Sequence, residues 1–261
     1  MQSFRTNCSD GDRFLEQVAE RCRERLHHLV SEELTMGENA SSEWRGAMER
    51  SFDRMDKEVT TYNEDASGDC RCELRSPHRD AVGSTAVVAV VSPKKIVVAN
   101  CGDSRVVLSR DGKAVPLSSD HKPDRPIELN QIQEAGGQVT YLDQPRVLDV
   151  LAMSRAIGDN YLKPYVSSEP EVTVTERVAG DECLILASDG LWDVVTNDIA
   201  CNVARTCLSS NAPLPSSVPL QSGESSDKGC SDASMLLTKL ALARHTADNL
   251  SIVVVDLRNC T

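Results

Sequence analysis

Apolar runs that arrive in hairpin pairs, with helical stretches grouped between them, constrain the fold of this chain most. Thr85 to Val91 is almost wholly β-branched or small apolar, as a central strand requires. Pro93-Lys94-Lys95 turns the chain, and Ile96 to Ala99 continues as a second strand. Arg105 to Ser109 forms a third, closed by the turn Arg110-Asp111-Gly112-Lys113. Arg146 to Met153, Cys183 to Ala187 and Leu250 to Leu257 supply further strands. Leu15, Val18, Cys22, Leu26 and Leu29 repeat at helical spacing, as do Trp44, Ala47, Met48, Phe52 and Met55, which predicts two amphipathic helices. A short helix over Ile127 to Ala135 should stop at Gly136-Gly137, and two more should run from Asn197 to about Leu208 and from Ala233 to Arg244. Paired strands with helices between them argue for an α+β layered domain rather than a doubly wound parallel sheet.

With 261 residues the chain can bury a sizeable core, and a single domain over 1–261 is expected. Residues 63–79 are polar and read as an exposed loop. Residues 209–232, rich in Ser, Pro and Gly, read as a disordered surface insertion. Forty acidic against 28 basic residues leave a net charge of −12, which argues against nucleic-acid and anionic-membrane partners. No apolar run approaches the roughly 20 residues of a membrane span, and residues 1–7 carry no apolar signal-like core. The ten cysteines lack zinc-finger spacing, Cys70-Arg71-Cys72 being the one close pair, and Cys22, Cys101, Cys183 and Cys207 read as small core residues. A reducing compartment, nucleus and cytoplasm, is expected, and a monomeric chain.

Two acids stand at the ends of core strands. Cys183 to Ala187 breaks off into Ser188-Asp189-Gly190-Leu191-Trp192-Asp193, and Asp248-Asn249 sits at the mouth of Leu250 to Val255. Either pair alone has a turn explanation. Together, two strand-end carboxylates suit a hard, oxygen-liganded cation such as Mg²⁺ or Mn²⁺. Further turns follow a fixed order: Val82-Gly83-Ser84-Thr85, Cys101-Gly102-Asp103-Ser104-Arg105, Asp120-His121-Lys122-Pro123 and Ser154-Arg155-Ala156-Ile157-Gly158-Asp159.

In that order, with the Asp189 and Asp248 turns, these segments closely resemble the metal-dependent type 2C protein phosphatases from about Val18 to Leu257. Val18 to Arg25 and Ala152-Met153-Ser154-Arg155 look most like the plant subgroup that opposes abscisic-acid signalling. The resemblance implies a four-layer α-β-β-α sandwich and hydrolysis of phosphoserine and phosphothreonine by a metal-activated water. It implies two metals, with a third, weaker one in the complete site. Asp189 and Asp248 match metal-ligating aspartates, while Asp103 and Asp193 match acids that help hold the weaker metal. Gly83 and Ser84 match the mouth loop where a regulatory receptor docks. Asp159 is expected to be structural, since backbone hydrogen bonding explains its turn. Stress-activated Ser/Thr kinases are the expected phosphoprotein partners.

The sequence also departs from the family. An Arg-bearing strand and an Asp-Gly-His-Gly segment should precede the first helix; Cys8-Ser9-Asp10-Gly11-Asp12-Arg13-Phe14 stands there instead. Residues 1–14 are therefore atypical, the N-terminal strands are expected to be lacking, and Asp10 or Asp12 reads as a helix N-cap. A catalytically impaired module that docks kinases or regulators is the alternative expectation. Finally, counting back from Arg146, Leu142 takes the place of a receptor-inserting Trp. Leucine has no N–H to donate, so hormone-receptor binding is expected to be weak.

Overall fold

The computed structural model describes residues 2–4, 12–35, 41–65, 82–210 and 222–258. In chain order these form strand β1 (Gln2–Phe4), helices α1 (Asp12–Thr35) and α2 (Ser41–Asp65), and strands β2 (Gly83–Val91), β3 (Lys95–Cys101), β4 (Arg105–Arg110) and β5 (Lys113–Pro116). Helix α3 (Pro126–Glu134), strands β6 (Val139–Tyr141), β7 (Pro145–Val147) and β8 (Ile157–Gly158), and a 3-10 turn (Asn160–Leu162) come next. Strands β9 (Glu171–Glu176) and β10 (Asp181–Ala187), helices α4 (Asp189–Trp192), α5 (Asn197–Ser210) and α6 (Ser222–Ala243), and strand β11 (Ile252–Asp256) complete the described chain. One sheet runs β1-β2-β3-β9, with β8 also on β2; a second runs β11-β10-β4-β5; β6 and β7 form a separate hairpin. Helices and antiparallel sheets together bear out the α+β class.

The described residues gather into two compact units that alternate along the chain. The first takes Met1–Ala89, Val97–Ser104 and Ser119–Thr173. There α1 and α2 pack together as their periodicity predicts, burying Cys22, Leu26 and Leu29 against Ala47, Met48, Phe52 and Met55. Helix α3 begins with Pro126 at its first position and ends at Ala135, followed by Gly136 at φ +87°, the left-handed residue that a helix end favours. Its Ile132 packs with Val147, Met153, Ala156, Leu162 and Val166. A buried ion pair sits nearby: Arg155 donates from Nε and Nη2 to Glu128 at 2.9 and 2.7 Å, and Ser154 Oγ donates to the same carboxylate at 2.8 Å.

The second unit takes Val90–Ile96, Arg105–Ser118 and Val174–Thr261. Antiparallel β10 lies between β4 and β11, and α5 and α6 cover the sheet. Cys183, Ile185 and Ala187 from β10 meet Ala200, Cys201, Ala204, Ala233 and Leu237 from the helices. Cys183 and Cys201 are buried, and burial pushes their thiols up to about 12 and about 11. Both are inert packing residues at neutral pH.

Three sequence expectations change. The N-terminal strands are expected to be lacking, yet Gln2–Phe4 pairs with β2 in the register Gln2↔Val87, Ser3↔Ala86 and Phe4↔Thr85. A short edge strand needs only to supply backbone hydrogen bonds, which alternation of side chains does not reveal. Helix α6 begins at Ser222, so residues 222–232 of the expected disordered insertion are helical. The packed stretch Ala233, Leu237 and Ala241 nucleates a helix that propagates back into a Ser-rich segment of weak propensity. Of Arg146 to Met153 only Arg146 and Val147 are strand, as the end of β7, because Leu148 and Asp149 turn at φ 50° and 63°. The expected features at Asp10-Gly11, Cys70-Cys72 and 211–221 lie outside the described residues.

Candidate metal centre

Strand pairing brings the two acidic turns together. In the second unit Ala187, the last residue of β10, lies opposite Ile252, the first of β11. Asp189 and Asp248 therefore leave neighbouring strands at the same end. The approach is close: a Cβ placed on Gly190 would lie 2.6 Å from the Asn249 carbonyl oxygen and 3.3 Å from Asp248 Cβ. Only glycine permits the two backbones to meet this tightly.

Hydroxyl groups tie the turns. Ser188 Oγ donates to the Asn249 carbonyl at 3.0 Å and accepts from the Ser251 N–H at 3.2 Å. Ser188 N–H reaches the Ser251 carbonyl at 3.1 Å, and Thr246 Oγ1 donates to the Gly190 carbonyl at 2.8 Å. Trp192 anchors the α4 turn by donating from Nε1 to the Ala187 carbonyl at 2.9 Å. Arg105 lies over the indole at 5.4 Å from the ring centroid and donates to Asn197 Oδ1 at 2.9 Å. Sequence reasoning missed Ser188, Thr246 and Ser251. The available signal was a hydroxyl within three residues of each acid, a common local partner for backbone groups.

Asp189 and Asp248 are both half-buried, and one oxygen of each accepts a local backbone N–H: Gly190 to Asp189 Oδ1 at 2.9 Å and Asn249 to Asp248 Oδ1 at 2.6 Å. Asp193 is exposed one turn further on, with its N–H on the Asp189 carbonyl at 2.9 Å. Among the described residues no group of three or more His, Cys, Asp and Glu is arranged to hold a metal ion. Magnesium is commonly held by one or two carboxylates with water completing its shell, so the Asp189–Asp248 pair suits such an ion as part of its donor set.

The other candidate residues lie in the first unit. Asp103 is buried and pairs with Lys122, whose Nζ stands 2.5 Å from Oδ2. Gly83 opens β2 opposite Gly158, and a Cβ there would fall 1.9 Å from Asp159 Oδ2. Ser84 is buried, whereas Leu142 is 82% exposed at the β6–β7 hairpin. Asp159 is itself buried at φ 48°, with its N–H on the Val82 carbonyl at 3.0 Å.

Comparison with known proteins accords with the order of these turns. The family profile "Protein phosphatase 2C" matches residues 6–250. The Arabidopsis thaliana protein named "Probable protein phosphatase 2C 24" is 62% identical over 242 residues, covering 92% of this chain and 66% of that one. "Protein phosphatase 2C 3" of the same plant is 58% identical over 268 residues, covering 92% and 60%. The chain thus spans less than two thirds of the length of these curated relatives. Among solved structures, "Structure of a C.elegans sex determining protein" superposes with a TM-score of 0.74 at 23% identity, covering 92% of this chain and 53% of that one. A serine-threonine phosphatase 2C from Toxoplasma gondii superposes with a TM-score of 0.66 at 23% identity, covering 95% and 82%. At such identities these structures speak for the fold alone.

Proposed function

This chain belongs to the protein phosphatase 2C family, and on that footing we propose that it hydrolyses phosphoserine and phosphothreonine in proteins with Mg²⁺ or Mn²⁺ at Asp189 and Asp248. The observation that carries the reading is the meeting of the two acidic turns across β10 and β11. A bound divalent cation supplies an activated water at neutral pH and neutralises phosphoryl charge, so no side-chain nucleophile is needed. The chain's own residues hold carboxylate oxygens in place: Ser188 and Thr246 fix the two turns against each other, and Trp192 fixes the start of α4. The buried cysteines, with thiols raised by burial, take no part.

The finer reading is a plant negative regulator of abscisic-acid signalling that acts on stress-activated kinases in nucleus and cytoplasm. What supports it is the subgroup-like Ala152-Met153-Ser154-Arg155 and the identity to plant relatives. No helix among the described residues is long and apolar enough to cross a membrane. One specific observation favours a second reading. The 261 residues contain no Asp-Gly-His-Gly, which supports a phosphatase-like module that docks kinases without hydrolysing phosphate.

Phosphopeptide hydrolysis with and without Mn²⁺ separates the two. Mn²⁺-dependent turnover that disappears in Asp189→Ala supports the enzyme. Intact kinase binding without turnover supports the module.

A further inference from the structure

The end of α6 carries the chain onto the turn that holds Asp189. Thr246 N–H donates to the Ala241 carbonyl at 3.2 Å and His245 N–H to the Leu242 carbonyl at 3.0 Å, the paired closing bonds of a left-handed helix end. His245 takes the left-handed position at φ 61°, where glycine is usual. That reversal fixes three neighbours at once. Thr246 Oγ1 reaches the Gly190 carbonyl at 2.8 Å and accepts the Asp248 N–H at 3.5 Å. Arg244 donates from Nη1 to the Val194 carbonyl at 2.7 Å, just beyond Asp193. The residue is exposed, and among the described residues its Nε and Nη2 have no protein partner. Arg105, in contrast, lies over Trp192 and is bonded to Asn197.

We propose that Arg244 is a phosphate-binding residue: pinned through Nη1 to Val194, it presents its Nε–Nη2 edge to the phosphoryl group of a phosphoserine or phosphothreonine substrate. The inference rests on the phosphatase reading above and adds a substrate contact made by a side chain. Nε and Nη2 form one edge of the guanidinium fork, which takes two phosphate oxygens side by side. Asp189, Asp193 and Asp248 crowd the same pair of turns with negative charge that opposes an incoming phosphate. A cation beside them favours its arrival.

The test is steady-state hydrolysis of a phosphothreonine peptide by the Mn²⁺-loaded full chain, with inhibition by inorganic phosphate and calorimetric Mn²⁺ binding measured beside it. Arg244→Gln, which removes the charge and keeps an amide donor, is expected to raise KM and the phosphate Ki about tenfold, as loss of a charge-assisted contact implies. Its kcat should stay within about twofold of wild type and its Mn²⁺ affinity should not change, the pattern of a lost substrate contact. Arg244→Lys should recover part of the lost affinity. Lys239→Gln, the same charge change at an exposed position earlier on α6, should match wild type. Unchanged KM and Ki in Arg244→Gln overturn the proposal, as does an equal loss in Lys239→Gln. A loss confined to Mn²⁺ affinity also overturns it, since that marks a purely structural bond to Val194.

A measurement on wild type alone guards against a variant that fails to fold. The Arg244 Nε–H resonance of the Mg²⁺-loaded chain should shift on titration with inorganic phosphate. Its constancy, whether phosphate binds elsewhere or not at all, overturns the proposal. Failure of the phosphatase reading looks different: the phosphopeptide is not turned over with Mn²⁺, while the Arg244 resonance still moves with phosphate.

Discussion

Asp159 lies against the bare Cα of Gly83 with its backbone in the left-handed region. Burial raises its carboxyl from the ordinary 3.8 to about 7; Lys163 opposes the rise and Asp56 adds to it. The folded chain keeps this proton up to about pH 7, whereas the unfolded chain releases it near 3.8. The contribution of Asp159 to stability is therefore full below pH 3.8 and is lost as pH rises through about 7. Asp159→Asn stays neutral throughout, so it should be more stable than wild type at pH 8, by of order a few kcal/mol, with a flatter profile from pH 4 to 7. Urea unfolding at a series of pH values checks this, and a larger loss at pH 8 than at pH 4 contradicts it. At the β6–β7 hairpin, Leu142→Trp supplies the N–H donor that leucine lacks, at a position 82% exposed. Inhibition by hormone-loaded receptor, measured on a full-length enzyme carrying this loop, should strengthen by about tenfold or more. The aspartates at strand ends were legible because the acidic turns Asp189-Gly190 and Asp248-Asn249 punctuate apolar runs. The Lys122–Asp103 pair was not, since 19 residues separate the partners and no local pattern links them.

Helices α1, α2, α3 and α5 follow their apolar periodicity within a few residues, since each buries one continuous stripe. Strand β1 and the first half of α6 escaped that reading because neither declares itself by patterning. The strand rests on backbone pairing with β2, and the helix on propagation from a packed C-terminal half. Gly190 shows what patterning cannot convey: its role depends on Asn249, far away in sequence. Gly190→Ala should push the Asp189 and Asp248 turns apart and weaken Mn²⁺ binding by about tenfold or more, while far-ultraviolet circular dichroism stays native. Calorimetric titration reads the first and the spectrum reads the second. The buried Arg155–Glu128 pair offers a contrast in the first unit. Arg155→Leu removes both guanidinium bonds from the buried Glu128, leaving Ser154 Oγ at 2.8 Å and Arg125 at 3.9 Å, and should cost about 3 kcal/mol in chemical denaturation.

For the whole molecule, a net charge of −12 makes divalent cations favourable partners, so the specific and diffuse effects need separating. Mn²⁺ at about 100 times its Kd should stabilise the chain by about 2.7 kcal/mol if it binds the folded state alone. Asp189→Asn combined with Asp248→Asn should abolish that gain and leave only the shallow response that sodium chloride also produces. The two units alternate along the sequence, and their boundaries cut through β2, β3 and β9. A chain emerging from the ribosome has supplied every segment of the first unit once Thr173 is made. The second must keep β4 and β5 waiting for β10 and then for β11, the last described strand to be synthesised. Asp248 just precedes β11, so the Asp189 turn meets its counterpart only after α4, α5 and α6 have all been made, and the nascent polypeptide carries the first acidic turn without the second until then.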